Sequence, residues 1–135
     1  MATKAARQPR ILVTRSDFDI LETMIGDTAN RSIGVELLDQ ELLRAVIVDD
    51  SSTKVFCRLG SWVTYEDLGS GQTRQIQIVV PAEADIDQRR VSVLSQVGAS
   101  LLGLAEGAEF SWKDAVGRPH RLRTITISES ANAAA

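Results

Sequence analysis

The sequence predicts an α+β fold. A short N-terminal antiparallel helical hairpin, a short coiled coil over residues 11–48, precedes an antiparallel sheet domain with one short helix over residues 54–128. Three observations predict it. Apolar residues recur at helical spacing before residue 49, and they alternate with polar ones after residue 53. Between the two patterns stands Asp49-Asp50-Ser51-Ser52-Thr53, a run with the composition of a linker or turn.

In the first segment Thr14 or Ser16 can cap a helix, with Asp17 or Asp19 three residues on. Phe18, Leu21 and Ile25, with Met24 beside them, form its apolar stripe. Residues 26–31 stop it, and Ser32 opens a second helix with Val35, Leu38, Leu42, Ala45 and Val46 on one face. At 1.5 Å per residue the two helices span roughly 16 Å and 22 Å. The polar residues between them make the hairpin tip, where Asp27 and Arg31 are the charged groups.

In the second segment residues 54–56 and 60–68 read as strands, and Gly69-Ser70-Gly71 turns the chain. Residues 74–80 alternate Ile76, Ile78 and Val80 against Gln75 and Gln77, and Pro81 ends that strand. A short strand over 90–94 leads into a helix over 96–104, closed by Gly103 and Gly107. A hairpin of 109–112 and 120–127 turns at Val116-Gly117-Arg118-Pro119. Residues 1–10 and 128–135 carry no apolar period and are expected to be flexible.

Composition narrows the function. Of 135 residues, 44% are hydrophobic and only six are aromatic, so Val, Ile and Leu must build the core. The net charge of -3, from 15 basic and 18 acidic residues, gives no broad electrostatic reason for tight nonspecific DNA binding, and no direct sequence-specific nucleic-acid binding is expected. Cys57 and His120 are each the only residue of their kind, which leaves no disulfide, no His-pair or Cys-cluster metal site and no ready Ser-His-Asp triad. No cofactor and no metal are expected. No apolar run approaches the ~20 residues of a membrane span. With no apolar stretch after the basic start, a cytoplasmic protein is the expectation.

Two stretches go beyond fold class: Val91-Ser92-Val93-Leu94-Ser95-Gln96-Val97-Gly98-Ala99-Ser100-Leu101-Leu102-Gly103, and Ala105-Glu106-Gly107-Ala108-Glu109-Phe110-Ser111-Trp112 before the Gly117 turn. Together they resemble the signature that closes the Gre transcription elongation factors, on an FKBP-like C-terminal domain. With Val79-Val80-Pro81-Ala82 upstream, they resemble Rnk, the regulator of nucleoside diphosphate kinase, more closely than Gre. The resemblance runs over about residues 14–127. Its physical content is a strand turning into a helix whose small residues Gly98, Ala99 and Ser100 pack closely on the sheet. Gly103 supplies a left-handed end to the helix and Gly107 a turn.

The resemblance implies a regulator that binds the secondary channel of bacterial RNA polymerase and competes with Gre-type factors. It places Leu94, Ser95 and Gln96 at the contact with the polymerase. Leu94 stands where Gre proteins have Asp or Asn, so an exposed Leu94 would offer an apolar contact. Gln96 stands where both families usually have Pro. Ser95 can equally cap the helix that follows. Gre factors stimulate transcript cleavage with carboxylates at the tip of a long coiled coil, which help to hold a Mg²⁺ ion. The short hairpin here carries Asp27 alone at its tip, with Arg31 close by to neutralise it, so no cleavage stimulation and no enzymatic activity are expected.

Two other readings remain open at this stage: a prolyl isomerase or chaperone of FKBP-like fold, and a regulator of nucleoside diphosphate kinase levels acting away from polymerase. Trp62, Tyr65, Phe110 and Trp112 read as core aromatics rather than an isomerase pocket. Arg89, Arg90, Arg118, His120, Arg121 and Arg123 read as a solvated strand edge. Cys57 reads as a small core residue. Asp17, Asp19, Glu22, Glu36, Asp39 and Glu41 read as a solvated face of the hairpin, with steering towards basic surfaces as the sharper alternative.

Overall fold

Helices are not all that precedes the polar run after Val48. A computed structural model describes residues 9–29 and 31–130. The expected flexible ends therefore fall largely outside the described residues, as does Asn30 of the tip. The first segment runs β1 (Leu12–Thr14), α1 (Arg15–Asp27), α2 (Ile33–Arg44) and β2 (Val46–Val48). The two strands pair in parallel, Leu12 with Val46, Val13 with Ile47 and Thr14 with Val48. Two helices thus connect adjacent parallel strands. Ala45 and Val46, expected on the stripe of the second helix, are its C-cap and the first residue of β2. The β-branched run Val46-Ile47-Val48 suits a strand, and β1 supplies the partner that fixes it as one.

Both helices start where side-chain acceptors allow. Thr14 accepts a hydrogen bond from the Asp17 N–H at 3.1 Å and Ser32 from the Val35 N–H at 3.3 Å; each cap is worth ~1 kcal/mol. α1 buries Leu21 and Ile25; α2 buries Gly34, Val35, Leu38, Glu41 and Leu42.

The second segment contributes β3 (Trp62–Asp67), β4 (Gln72–Val79), β5 (Arg90–Ser92), α3 (Gln96–Leu101), β6 (Glu109–Lys113) and β7 (Pro119–Ser128). The sheet order is β5-β4-β3-β7-β6. Every pairing is antiparallel except β4 with β5, which is parallel. The sheet is therefore mixed, not wholly antiparallel as expected. The physical reason is the connection. Two 3₁₀ turns, Pro81–Glu83 and Ile86–Gln88, loop the chain back only as far as Gln77, near the end of β4, so that β5 runs beside Gln77–Val79 in the same direction instead of reversing in a hairpin. Residues 54–56 form no strand either. Beside them, Cys57 donates its N–H to the Leu104 carbonyl at 2.9 Å and accepts the Gly103 N–H at 2.8 Å.

Buried residues of both segments share one core: Ile11, Val13, Leu21 and Leu38 join Ile78, Leu101, Leu104 and Phe110. Fully burying one such side chain contributes ~1.5–3 kcal/mol, so the core itself holds the two helices to the sheet. Cys57 belongs to it, and burial pushes its thiol pKa up. Tyr65, Phe110 and Trp112 are core aromatics as expected, whereas Trp62 is only half-buried.

Candidate functional site

Leu94, Ser95 and Gln96 form the corner between β5 and α3, and their hydrogen bonds run inward. Ser95 caps α3: its hydroxyl accepts the Gly98 N–H at 3.1 Å and donates to the Ser92 carbonyl at 2.7 Å. The Leu94 N–H donates to the Ser92 hydroxyl at 3.0 Å. Gln96 Oε1 accepts the Trp112 Nε1–H at 2.8 Å, tying the corner to β6. Small residues are required here. A Cβ on Gly98 would stand 2.2 Å from the Ser92 carbonyl oxygen, inside any allowed contact. Gly103 has φ +85°, and a Cβ there would meet Ile11 at 2.6 Å. Both glycines do what the sequence pattern asked of them.

Leu94 is half-buried against the core, and α2 crosses its backbone: a Cβ on Gly34 would lie 2.0 Å from the Leu94 carbonyl oxygen. The corner is thus shared between the sheet segment and the N-terminal helices. Sequence reasoning passed over Gly34. Its signal was a glycine within a helical pattern, a costly residue there unless a close approach requires it.

The tip residues do not meet as expected. Asp27 ends α1 and is exposed, while Arg31 turns to α2, donating to Glu36 at 2.9 Å and to Asp39 at 2.8 Å. Arg31 so helps to neutralise the start of α2 rather than Asp27. Among the described residues no cation lies within ion-pairing distance of Asp27. The other acidic residues part company too. Asp19 and Glu22 are solvated, but Glu41 is only 7% exposed and pairs with Arg44. Asp17 is half-buried and accepts the Leu59 N–H at 3.0 Å. Burial pushes its carboxyl above the ordinary range, against the opposing pull of that N–H and of Arg58. Next to it Asp50 accepts the Ser16 N–H at 3.0 Å and the Ser16 hydroxyl, bonds that hold its carboxyl low. These contacts lock the start of α1 to the linker.

The basic residues are not one strand edge. β7 lies inside the sheet. Arg121 pairs with Glu109 at 2.6 Å, and Arg123 spans Glu109 at 3.1 Å and Glu66 at 3.5 Å. His120 stacks on Trp112 with ring centres 5.0 Å apart and meets Asp114 at 3.0 Å. Arg90 does sit on the edge strand β5, and Arg89 precedes it in the turn. Among the described residues no cluster of His, Cys, Asp and Glu could hold a metal ion. No helix among them is long and apolar enough to cross a membrane. Among the aromatics, Tyr65 and Phe110 lie in the core, the Trp112 N–H donates to Gln96, and Trp62 lies under the Arg89 guanidinium, 5.3 Å from its ring centre.

The family model "Transcription elongation factor, GreA/GreB, C-term" matches residues 52–129. The chain is 34% identical over 104 residues to the transcription elongation factor GreA of Thermotoga neapolitana, covering 77% of this chain and 65% of that protein. It thus spans just under two thirds of that relative's length. It is 33% identical over 130 residues to the transcription inhibitor protein Gfh1 of Thermus thermophilus, covering 93% of this chain and 81% of that one. The solved prokaryotic transcription elongation factor GreA/GreB from Nitrosomonas europaea superposes with a TM-score of 0.69 at 28% identity, covering 90% of this chain and 99% of that chain.

Proposed function

Because this chain belongs to the GreA/GreB C-terminal family of transcription elongation factors, we propose that it regulates transcription by binding RNA polymerase without stimulating transcript cleavage. The sheet segment, of the FKBP-like type that the resemblance implies, docks at the rim of the secondary channel through the corner at Leu94, Ser95 and Gln96. The pair α1 and α2 is the short hairpin that occupies the channel entrance. Occupancy excludes longer channel-binding factors, in the manner of a Rnk-like competitor of Gre. The protein carries no catalytic step of its own and acts where the polymerase is, in the cytoplasm.

One observation carries the reading: the N-terminal helices are too short and too tightly bound to the sheet segment to act as a probe. α1 has 13 residues and α2 has 12, so each reaches roughly 20 Å at 1.5 Å per residue. Part of that length is spent against the Leu94 carbonyl and the shared core. At the far end, among the described residues, only Asp27 offers a free carboxylate, and Mg²⁺ chelation calls for more oxygen ligands than one carboxylate and water readily supply. The alignment to Gfh1, a transcription inhibitor by name, supports the same direction because it includes the helical segment.

The test is a competition. Core RNA polymerase in stalled elongation complexes is given a Gre factor with rising amounts of this protein. Loss of Gre-stimulated cleavage as the protein is added is the expected result. Full Gre activity at large excess overturns the proposal.

A further inference from the structure

We propose that a groove between β4 and the turn at residues 81–90 is a second docking surface, which seats an acidic segment of the polymerase bearing an apolar side chain beside its carboxylate. The inference rests on the polymerase reading above and adds a surface that the corner does not include. The groove has a volume of about 380 Å³ and is lined by Arg74, Gln75, Ile76, Ile86, Arg89 and Val91. Val91 lies on β5, the edge strand that leads into the corner, so the two surfaces are continuous along the chain.

The turn is exposed throughout but firmly built. Asp85 and Arg90 exchange two backbone hydrogen bonds, each of 2.9 Å, and the Gln77 N–H donates to the Arg89 carbonyl at 2.8 Å. The Asp85 carboxylate is used within the turn, accepting the Asp87 N–H at 3.1 Å. At the far side of this fixed frame Ile86 is 82% exposed. A lone exposed isoleucine needs no explanation. This one forms a wall of a groove whose other apolar sides are Ile76 and Val91.

Charge selects the occupant. Arg89 adopts φ +59°, a conformation glycine would take without strain. An arginine there brings its guanidinium over the Trp62 ring and within 3.2 Å of Gln75 Oε1, fixing it at the groove. Arg74 stands at the same groove, with a hydrogen bond to Gln72 at 3.0 Å. Among the described residues neither has a carboxylate within 4.0 Å; other arginines also lack an ion pair, but only these two line the groove. Glu83 and Asp87, on the same turn, do not line the groove. Two guanidinium groups without counter-charges beside apolar walls fit a carboxylate flanked by an apolar side chain, since the planar fork of arginine matches carboxylate geometry.

The full-length protein is titrated against core RNA polymerase at low and moderate salt as wild type, Ile86→Ser and Arg74→Glu. Both positions are exposed, so both variants should melt as the wild type does, and melting is measured alongside. Each variant is expected to bind about tenfold more weakly, and Arg74→Glu should also flatten the dependence of affinity on salt. If the wild type binds and both variants bind equally well, the groove proposal falls while the polymerase reading stands. A wild type that does not bind polymerase overturns both. Variants that alter only self-association, with polymerase affinity unchanged, would make a second copy of this chain the occupant and overturn the proposal as stated.

Discussion

Gly34 of α2 lies against the backbone of Leu94 with no space for a side chain: a Cβ would come within 2.0 Å of the Leu94 carbonyl oxygen and 2.7 Å of the Ser95 carbonyl carbon. A glycine in the first turn of a helix thereby fixes where the N-terminal helices sit on the corner proposed to meet the polymerase.

Gly34→Ala should therefore destabilise the fold. Alanine favours a helix over glycine by ~1 kcal/mol, but the methyl group would push against main chain that cannot rotate away, a cost of ~1–3 kcal/mol for overpacking. Denaturant unfolding is the check. A variant as stable as the wild type, or more so, would show that the corner yields easily.

Gln96→Glu separates docking from folding at the corner. A glutamate retains an oxygen to accept the Trp112 N–H, so the melting temperature should hold while a charge is added at the proposed interface. Polymerase affinity should fall, by ~1.4 kcal/mol or more for a tenfold loss. Unchanged affinity would remove Gln96 from the interface. Ser95→Asp is a poorer probe. It keeps an acceptor for the Gly98 N–H but loses the bond donated to the Ser92 carbonyl and sets negative charge against that oxygen. It should cost stability of ~1 kcal/mol before any partner is added.

Neither the wild type nor Asp27→Asn should shorten transcripts in stalled elongation complexes. Gel analysis of the RNA decides this. Cleavage that disappears with Asp27→Asn would show the tip carboxylate to be at work and the short-hairpin argument to be mistaken.

Asp17→Asn should change how stability depends on pH. Burial holds the Asp17 carboxyl above its ordinary value of 3.8, so the folded chain binds this proton more tightly than the unfolded one. The group's contribution is full below that ordinary value and is lost as pH rises through the raised one, leaving a partly buried charge at neutral pH. Asparagine removes the charge and keeps an acceptor for the Leu59 N–H. Relative to wild type, the variant should gain more stability at about pH 7 than at about pH 4. A difference between the two proteins that stays constant across this range, or reverses, would refute the assignment.

What the sequence determined alone is local. Thr14, Ser32 and Ser95 cap the three helices because a short side-chain oxygen satisfies an N–H two or three residues on, whatever lies elsewhere. Gly103 and Gly107 take positive φ, and Ile76 and Ile78 face inward while Gln75 and Gln77 do not. The Gre-like motif made the family legible for the same reason, since it specifies one strand-to-helix corner. The pairing of β1 with β2, the parallel strand β5, the burial of Glu41 and the seat of Gly34 on Leu94 were decided only by the tertiary structure. Strands of three residues have too few positions to show a period, and a close approach between backbones far apart in sequence leaves only a small residue as its trace. Such features take their energy from contacts across the fold, where shape and burial override the preference of any single segment.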